Sequence, residues 1–220
     1  MTNLNKQLQI LSIEGNIGSG KSTVINTLKQ LYNNDKIYFL EEPVSEWNQI
    51  VDVKGKNIIE KFYEDQNKYS FPFQIMAYIS RLSMLKKAIN YCKEHDIYMI
   101  VCERSLQTDK NVFCKMLYDM NKIEDVNFQI YNKWFDEFIN EIPTCYFIYI
   151  KTCPTIANER VLKRNRKGET INLEYLELCS KYHDNWLLNN TKRSIIIDGN
   201  QTCDITYNKI NDILKNLLSI

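Results

Sequence analysis

The chain of 220 residues carries 28 Lys and Arg against 27 Asp and Glu, a formal net charge of +1, and 44% of it is hydrophobic. That length buries a real core without disulfides or metal. The near-zero charge argues against nucleic acid as the main partner, and no apolar stretch approaches the roughly 18 residues of a membrane span. Seven cysteines without any C-x-x-C pair exclude a zinc knuckle or a thioredoxin-type site. They read as buried free thiols in a reducing compartment.

The first apolar run, Leu8–Ile13, follows only seven residues, which leaves no room for a targeting leader, so a cytoplasmic location is expected. Four more short runs follow at Ile37–Leu40, Ile97–Cys102, Cys145–Ile150 and Ser194–Ile197. All are rich in Ile, Val, Tyr or Phe, as strands covered on both faces require. Helical spacing between them is clearest over Ser22–Leu31, Phe73–Lys93, Asn127–Asn140, Pro154–Asn165 and Leu173–Asn189. Strands alternating with helices predict an α/β fold, a five-stranded parallel sheet flanked by helices in one domain over 1–220. Ligands then bind beyond the carboxyl ends of the strands, so the residues just after each run carry the chemistry.

After the first strand, Gly15-Asn16-Ile17-Gly18-Ser19-Gly20-Lys21-Ser22 matches G-x-x-x-x-G-K-[ST] in full and opens a helix. In such a loop backbone N–H groups turn around phosphate oxygens and the helix N-terminus adds partial positive charge. Lys21 is expected to reach the β- and γ-phosphates of ATP, and Ser22 to bind Mg²⁺. A GTPase would need D-x-x-G and N-K-x-D. Asp52-Val53-Lys54-Gly55 has no strand leading into it, and Asn121-Lys122-Ile123-Glu124 lacks the guanine-reading Asp.

After the second strand come Glu41 and Glu42, where a carboxylate would face the γ-phosphate; position alone fits a solvated acidic turn equally well. After the third come Glu103, at the position of a magnesium-holding acid, and Arg104, placed to face developing charge; a structural ion pair is the alternative. After the fourth, Arg160, Arg164 and Arg166, interleaved with Lys163 and Lys167, predict an Arg-rich lid over about 160–170 that grips phosphates and excludes water. A solvated basic helix end is the bland reading of the same residues.

Together these pieces resemble the deoxynucleoside kinase family, the group containing deoxycytidine and deoxyguanosine kinases. The similarity runs from about Leu8 to Trp186. Its marks are the segment Glu14–Thr23, Glu42-Pro43-Val44-Ser45-Glu46-Trp47, Phe71-Pro72-Phe73-Gln74, Ser80-Arg81-Leu82, Glu103-Arg104-Ser105, Asp109, Leu173-Glu174-Tyr175-Leu176 and Asn185-Trp186-Leu187. The resemblance implies a P-loop kinase fold and transfer of the γ-phosphoryl of ATP, with Mg²⁺, to the 5′-hydroxyl of a deoxynucleoside. It makes Glu42 the base, Gln74 the reader of the nucleobase edge, Phe113 and Trp47 its walls, and Tyr63 with Glu169 the partners of the 3′-hydroxyl. Thr23 closes the phosphate loop, and the lid arginines are those named above. Arg81 and Asp109 imply deoxyadenosine, deoxyguanosine or deoxycytidine over thymidine, because the pair crowds the space of a thymine methyl. The resemblance further implies a homodimer, with Asn127–Asn140 as a candidate face. Lys110 departs from it, standing where family members often have arginine. A thymidylate-type nucleoside monophosphate kinase is the nearest alternative, although such enzymes carry D-R-[YFH] where this chain has Glu103-Arg104-Ser105. A catalytically idle nucleotide-binding protein is another.

Overall fold

A computed structural model describes residues 7–32, 37–166, 169–189 and 192–218. Lys167 and Gly168 of the basic run lie outside the described residues. The strands are β1 (Gln9–Glu14), β2 (Ile37–Leu40), β3 (Met99–Glu103), β4 (Cys145–Lys151) and β5 (Ser194–Asp198). The helices are α1 (Lys21–Leu31), α2 (Val44–Trp47), α3 (Ile58–Glu64), α4 (Gln66–Glu94), α5 (Leu106–Thr108), α6 (Lys115–Asp119), α7 (Asp125–Ile139), α8 (Pro154–Arg164), α9 (Leu173–Asp184) and α10 (Cys203–Leu218). Two π-helical turns, Asp109–Cys114 and Asn185–Asn189, continue α5 and α9.

All strand pairs are parallel, in the order β2-β3-β1-β4-β5. Side chains alternate across the sheet with the two-residue period of a strand. Ile10, Ile100, Cys102, Cys145, Phe147 and Tyr149 enter one core with α4 and α7. Leu11, Ile13, Met99, Val101, Ile148 and Ile150 enter the other, against Val24, Ile25 and Leu28 of α1 and Ile210 and Leu214 of α10. Both faces are therefore covered, and β1 and β3 are buried at almost every position for that reason. β5 departs from this expectation: Ile195 and Ile196 are about half exposed, because this edge strand pairs only with β4.

The strand order puts the first crossovers on one side of β1 and the later ones on the other, so the crevice opens at the end of β1. Register brings the strand ends level. Ile13 lies opposite Glu103, and Leu40 opposite Cys102, so Glu42, Glu103 and the loop after Glu14 leave the sheet together.

Two helices differ from the sequence expectation. α4 begins at Gln66 rather than Phe73 and carries Pro72 inside it. Asp65 caps it, its carboxylate accepting from Lys68 N, and the helix runs on through Pro72, which lacks the N–H that would reach the Lys68 carbonyl. α10 falls on a segment with no helix expected; Thr206, Ile210 and Leu214, spaced by four, are its buried stripe. Five cysteines are buried free thiols, while Cys153 and Cys203 are exposed. Among the described residues no helix is long and apolar enough to cross a membrane.

Candidate active site

The loop between β1 and α1 is shaped by glycines where other residues would not fit. Gly18 has φ +80°, and a Cβ there would lie 2.3 Å from the Ala157 carbonyl oxygen of α8. Ile17 to Thr23 line a cavity of about 550 Å³. Gly15 and Asn16 support it from behind: the Gly15 carbonyl faces Arg104, and the Asn16 amide donates to Leu176 O at 2.8 Å, tying the loop to α9. Lys21 is buried and donates to Asn16 O at 2.8 Å. Burial, with Arg104 nearby, lowers its pKa to about 7 against the opposing pull of Glu103, Glu42 and Glu14. Ser22 Oγ donates to Glu103 Oε1 at 2.9 Å, joining the two residues expected to hold the metal.

Across the cavity Glu42 sits between two buried guanidiniums. Arg104 Nη1 lies 2.9 and 3.2 Å from its two oxygens, and Arg81 Nη2 lies 3.0 Å from Oε1. Burial alone would raise the Glu42 pKa, but Arg104, Arg81 and Lys21 outweigh it and hold the carboxyl at about 2. Arg81 spends its remaining groups on Asp109 Oδ2, at 2.9 Å from Nε, and on the Glu103 carbonyl, at 2.8 Å from Nη1. Asp109 rises to about 6 because its desolvation exceeds the help from Arg81. The expected Arg81–Asp109 pair thus exists and is wired to Glu42.

The rest of the cavity is aromatic. Trp47 donates its indole N–H to Ser80 Oγ at 2.9 Å and packs edge-on against Phe73, which stacks on Phe62. The Arg104 guanidinium carbon lies 5.1 Å from the centre of the Phe113 ring, whose other contacts include an edge-on approach to His183. Gln74 is 2% exposed, and its Oε1 has no hydrogen-bond partner among the described residues. Leaving such an atom unsatisfied costs about 1–3 kcal/mol, which a ligand donor would offset. Burial drives the Tyr63 pKa far up, with Glu169 close by. Glu169 in turn pairs with Arg164, and at 3.9 Å with Arg166. Arg160 donates to the carbonyls of Gly199 and Gln201 at 3.0 and 3.2 Å, which pins α8 to the loop after β5.

Every sequence-predicted substrate residue, with Glu42, Glu103, Arg104 and the three lid arginines, therefore lines one cavity. Sequence reasoning missed Ile59, Phe62, Tyr175 and, at the far end, Gln201, Cys203 and Thr206. The last three follow β5, so the rule that ligands gather at strand ends could have found them.

Lys21 gives a direct check on these electrostatics. Below pH 7 its ammonium form should dominate and above pH 7 its amine. A lysine-selective carbon NMR titration of the ligand-free protein should show one resonance titrating near pH 7, absent in Lys21→Arg. All lysines titrating above pH 9 would contradict the burial described.

A model of the family described as "Deoxynucleoside kinase" matches residues 11–219. A protein named probable deoxycytidine kinase from fowlpox virus (strain NVSL) is 34% identical over 94% of this chain and 86% of its own length. The deoxycytidine kinase of Homo sapiens is 28% identical over 97% of this chain and 92% of its own. A mitochondrial deoxyguanosine kinase of Xenopus laevis is 30% identical over 86% and 78% respectively. With the phosphate loop, the parallel sheet and the shared cavity in hand, the match over nearly the whole length means that this chain belongs to the deoxynucleoside kinase family.

Proposed function

We propose that this kinase transfers the γ-phosphoryl of ATP to the 5′-hydroxyl of a deoxynucleoside, with the whole chain acting as one domain and Glu42 receiving the hydroxyl proton. The observation that carries this reading is the placement of Glu42 on the same cavity as Lys21 and the phosphate loop, clamped by Arg81 and Arg104. A carboxylate held so low is a weak base, but it orients a hydroxyl well. That suits a loose transition state in which the attacking oxygen keeps its proton until late. Lys21 and Arg104 then face the charge that spreads over the transferred group, and Arg160, Arg164 and Arg166 flank the donor. Ser22 and Glu103 fit a hard cation, since both offer oxygen and they already touch. Bound Mg²⁺ would supply neutralisation of the triphosphate charge.

At the acceptor end both arginines are already matched by carboxylates, which favours an uncharged acceptor over a monophosphate. The unpartnered Gln74 amide suits a nucleobase edge, Phe113 and Trp47 suit its faces, and Tyr63 with Glu169 suits the 3′-hydroxyl. The Arg81–Asp109 pair can donate to a ring nitrogen and accept from an exocyclic amine, which favours deoxycytidine and the purine deoxynucleosides. A homodimer is supported by Ile130 and Trp134, large apolar side chains exposed one turn apart on α7.

Labelled ATP offered with the four deoxynucleosides and their monophosphates tests the activity. Transfer to nucleosides alone is expected, with kcat/KM for thymidine at least about tenfold below the best substrate, a difference of about 1.4 kcal/mol. Preference for a monophosphate would overturn the assignment. Glu42→Gln should lower kcat by about 10²–10⁴ with nucleoside affinity nearly intact. Near-parental turnover would remove Glu42 from the role of base. Light scattering should give twice the mass of one chain, falling to one chain in Trp134→Glu; a monomeric parent would refute the dimer.

A further inference from the structure

Glu14, the last residue of β1, is a fully buried carboxylate that none of the roles above uses. Its partners are three neutral hydroxyls. Oε1 accepts from Ser12 and Ser105, each at 2.7 Å, and Oε2 accepts from Thr108 at 2.5 Å. Among the described residues no lysine or arginine is ion-paired with it. A buried carboxylate costs several kcal/mol to desolvate, and three neutral donors return less than a guanidinium would. Some feature of its surroundings must depend on it.

Ser105 and Thr108 close a reciprocal capping box: Thr108 N donates to Ser105 Oγ at 3.2 Å and Ser105 N to Thr108 Oγ1 at 3.1 Å. Each hydroxyl has one proton, and Glu14 takes both. Their oxygens are thereby left to accept the two backbone N–H groups. Immediately before the box stands Arg104, whose backbone is left-handed at φ 61°, a conformation unfavourable for a residue with a Cβ. Arg104 N donates to Ile13 O at 3.1 Å, so the same end of β1 holds the turn at two levels. Immediately after the box stands Asp109, partner of Arg81.

We propose that Glu14 is a positioning residue for phosphoryl transfer: through Ser105 and Thr108 it fixes the turn that presents Glu103 and Arg104 on one side and Asp109 on the other. The carboxylate form is specific to the task. Glutamine has the same shape but accepts at only one of its two terminal atoms, so one hydroxyl of the box must turn away. The negative charge also faces Lys21, together with Glu103, Glu42 and the opposing Arg104.

The reading rests on the role given to Arg104, so Arg104→Gln is measured alongside. Glu14→Gln, Thr108→Val and the double variant are compared for melting temperature, kcat and KM. Each single variant should lower kcat about tenfold to a hundredfold, per titrated active site, with KM for the nucleoside nearly unchanged. The double variant should be no worse than Glu14→Gln alone, since the two act through one contact. A purely structural role would lower the melting temperature and the fraction of active sites without lowering the turnover per active site, and that result overturns the proposal. So does a Glu14→Gln enzyme at the parental rate while Arg104→Gln is impaired. An unimpaired Arg104→Gln overturns the role of Arg104 and this proposal with it. Should Glu14→Gln fail to fold, parental kcat in both Thr108→Val and Ser105→Ala would overturn the clamp.

Discussion

Glu42 is shared by two guanidinium groups inside the protein, and much of the site's geometry follows from that sharing. Arg104 carries the contact toward the phosphate loop and Phe113; Arg81 carries it toward Asp109 and the far end of the acceptor cavity. A partly buried carboxylate between two buried cations is costly to assemble but also costly to disturb, since removing it leaves both guanidiniums short of a counter-charge. The three side chains come from β2's following loop, α4 and β3's following loop, so this one interaction also fixes how α4 sits against the sheet.

The same cluster explains why the phosphate end is electrostatically receptive. Glu42 and Asp109 occupy guanidinium donors of Arg81 and Arg104 at the acceptor end. Lys21 is left with a carbonyl and a hydroxyl as its hydrogen-bond partners and a pKa near neutrality. An incoming triphosphate restores what burial took from it. At the acceptor end the charges are already balanced, and the atom left wanting is a neutral amide oxygen, that of Gln74. Charge is short at one end and a hydrogen-bond donor at the other, which matches an anionic donor and a neutral acceptor.

Much of this was legible in the sequence. The five strands follow from apolar runs too short for helices, and the phosphate loop from glycines whose spacing only one structure uses. That acids after β2 and β3 are candidates follows from the rule that chemistry gathers at strand ends, whereas the choice of Glu42 over Glu41 came from family resemblance. Gln74, Tyr63 and Phe113 were legible only through family resemblance, because a glutamine or tyrosine on a helix has no local pattern that marks it as facing a cavity. The start of α4 was obscured by Pro72, which reads locally as a helix breaker although the helix runs through it from its cap at Asp65. Nothing in the motif announces that the Asn16 side-chain amide holds α9. Pairings such as Glu14 with Thr108, 94 residues apart, have no signature in one dimension.

The contact of Gly18 with α8 joins the phosphate loop to the helix that carries two of the three arginines. With the Ala157 carbonyl pressed against the glycine, and Arg160 tethered to Gly199 and Gln201, the first half of α8 belongs to the rigid frame. Asn165, left-handed at φ 47°, is where the helix gives out, so Arg160 and Arg164 belong to the helix and Arg166 stands past its end. The arginine cluster thus divides at Asn165, with Arg160 tied by two carbonyls to the loop after β5 and Arg166 beyond the last turn of the helix.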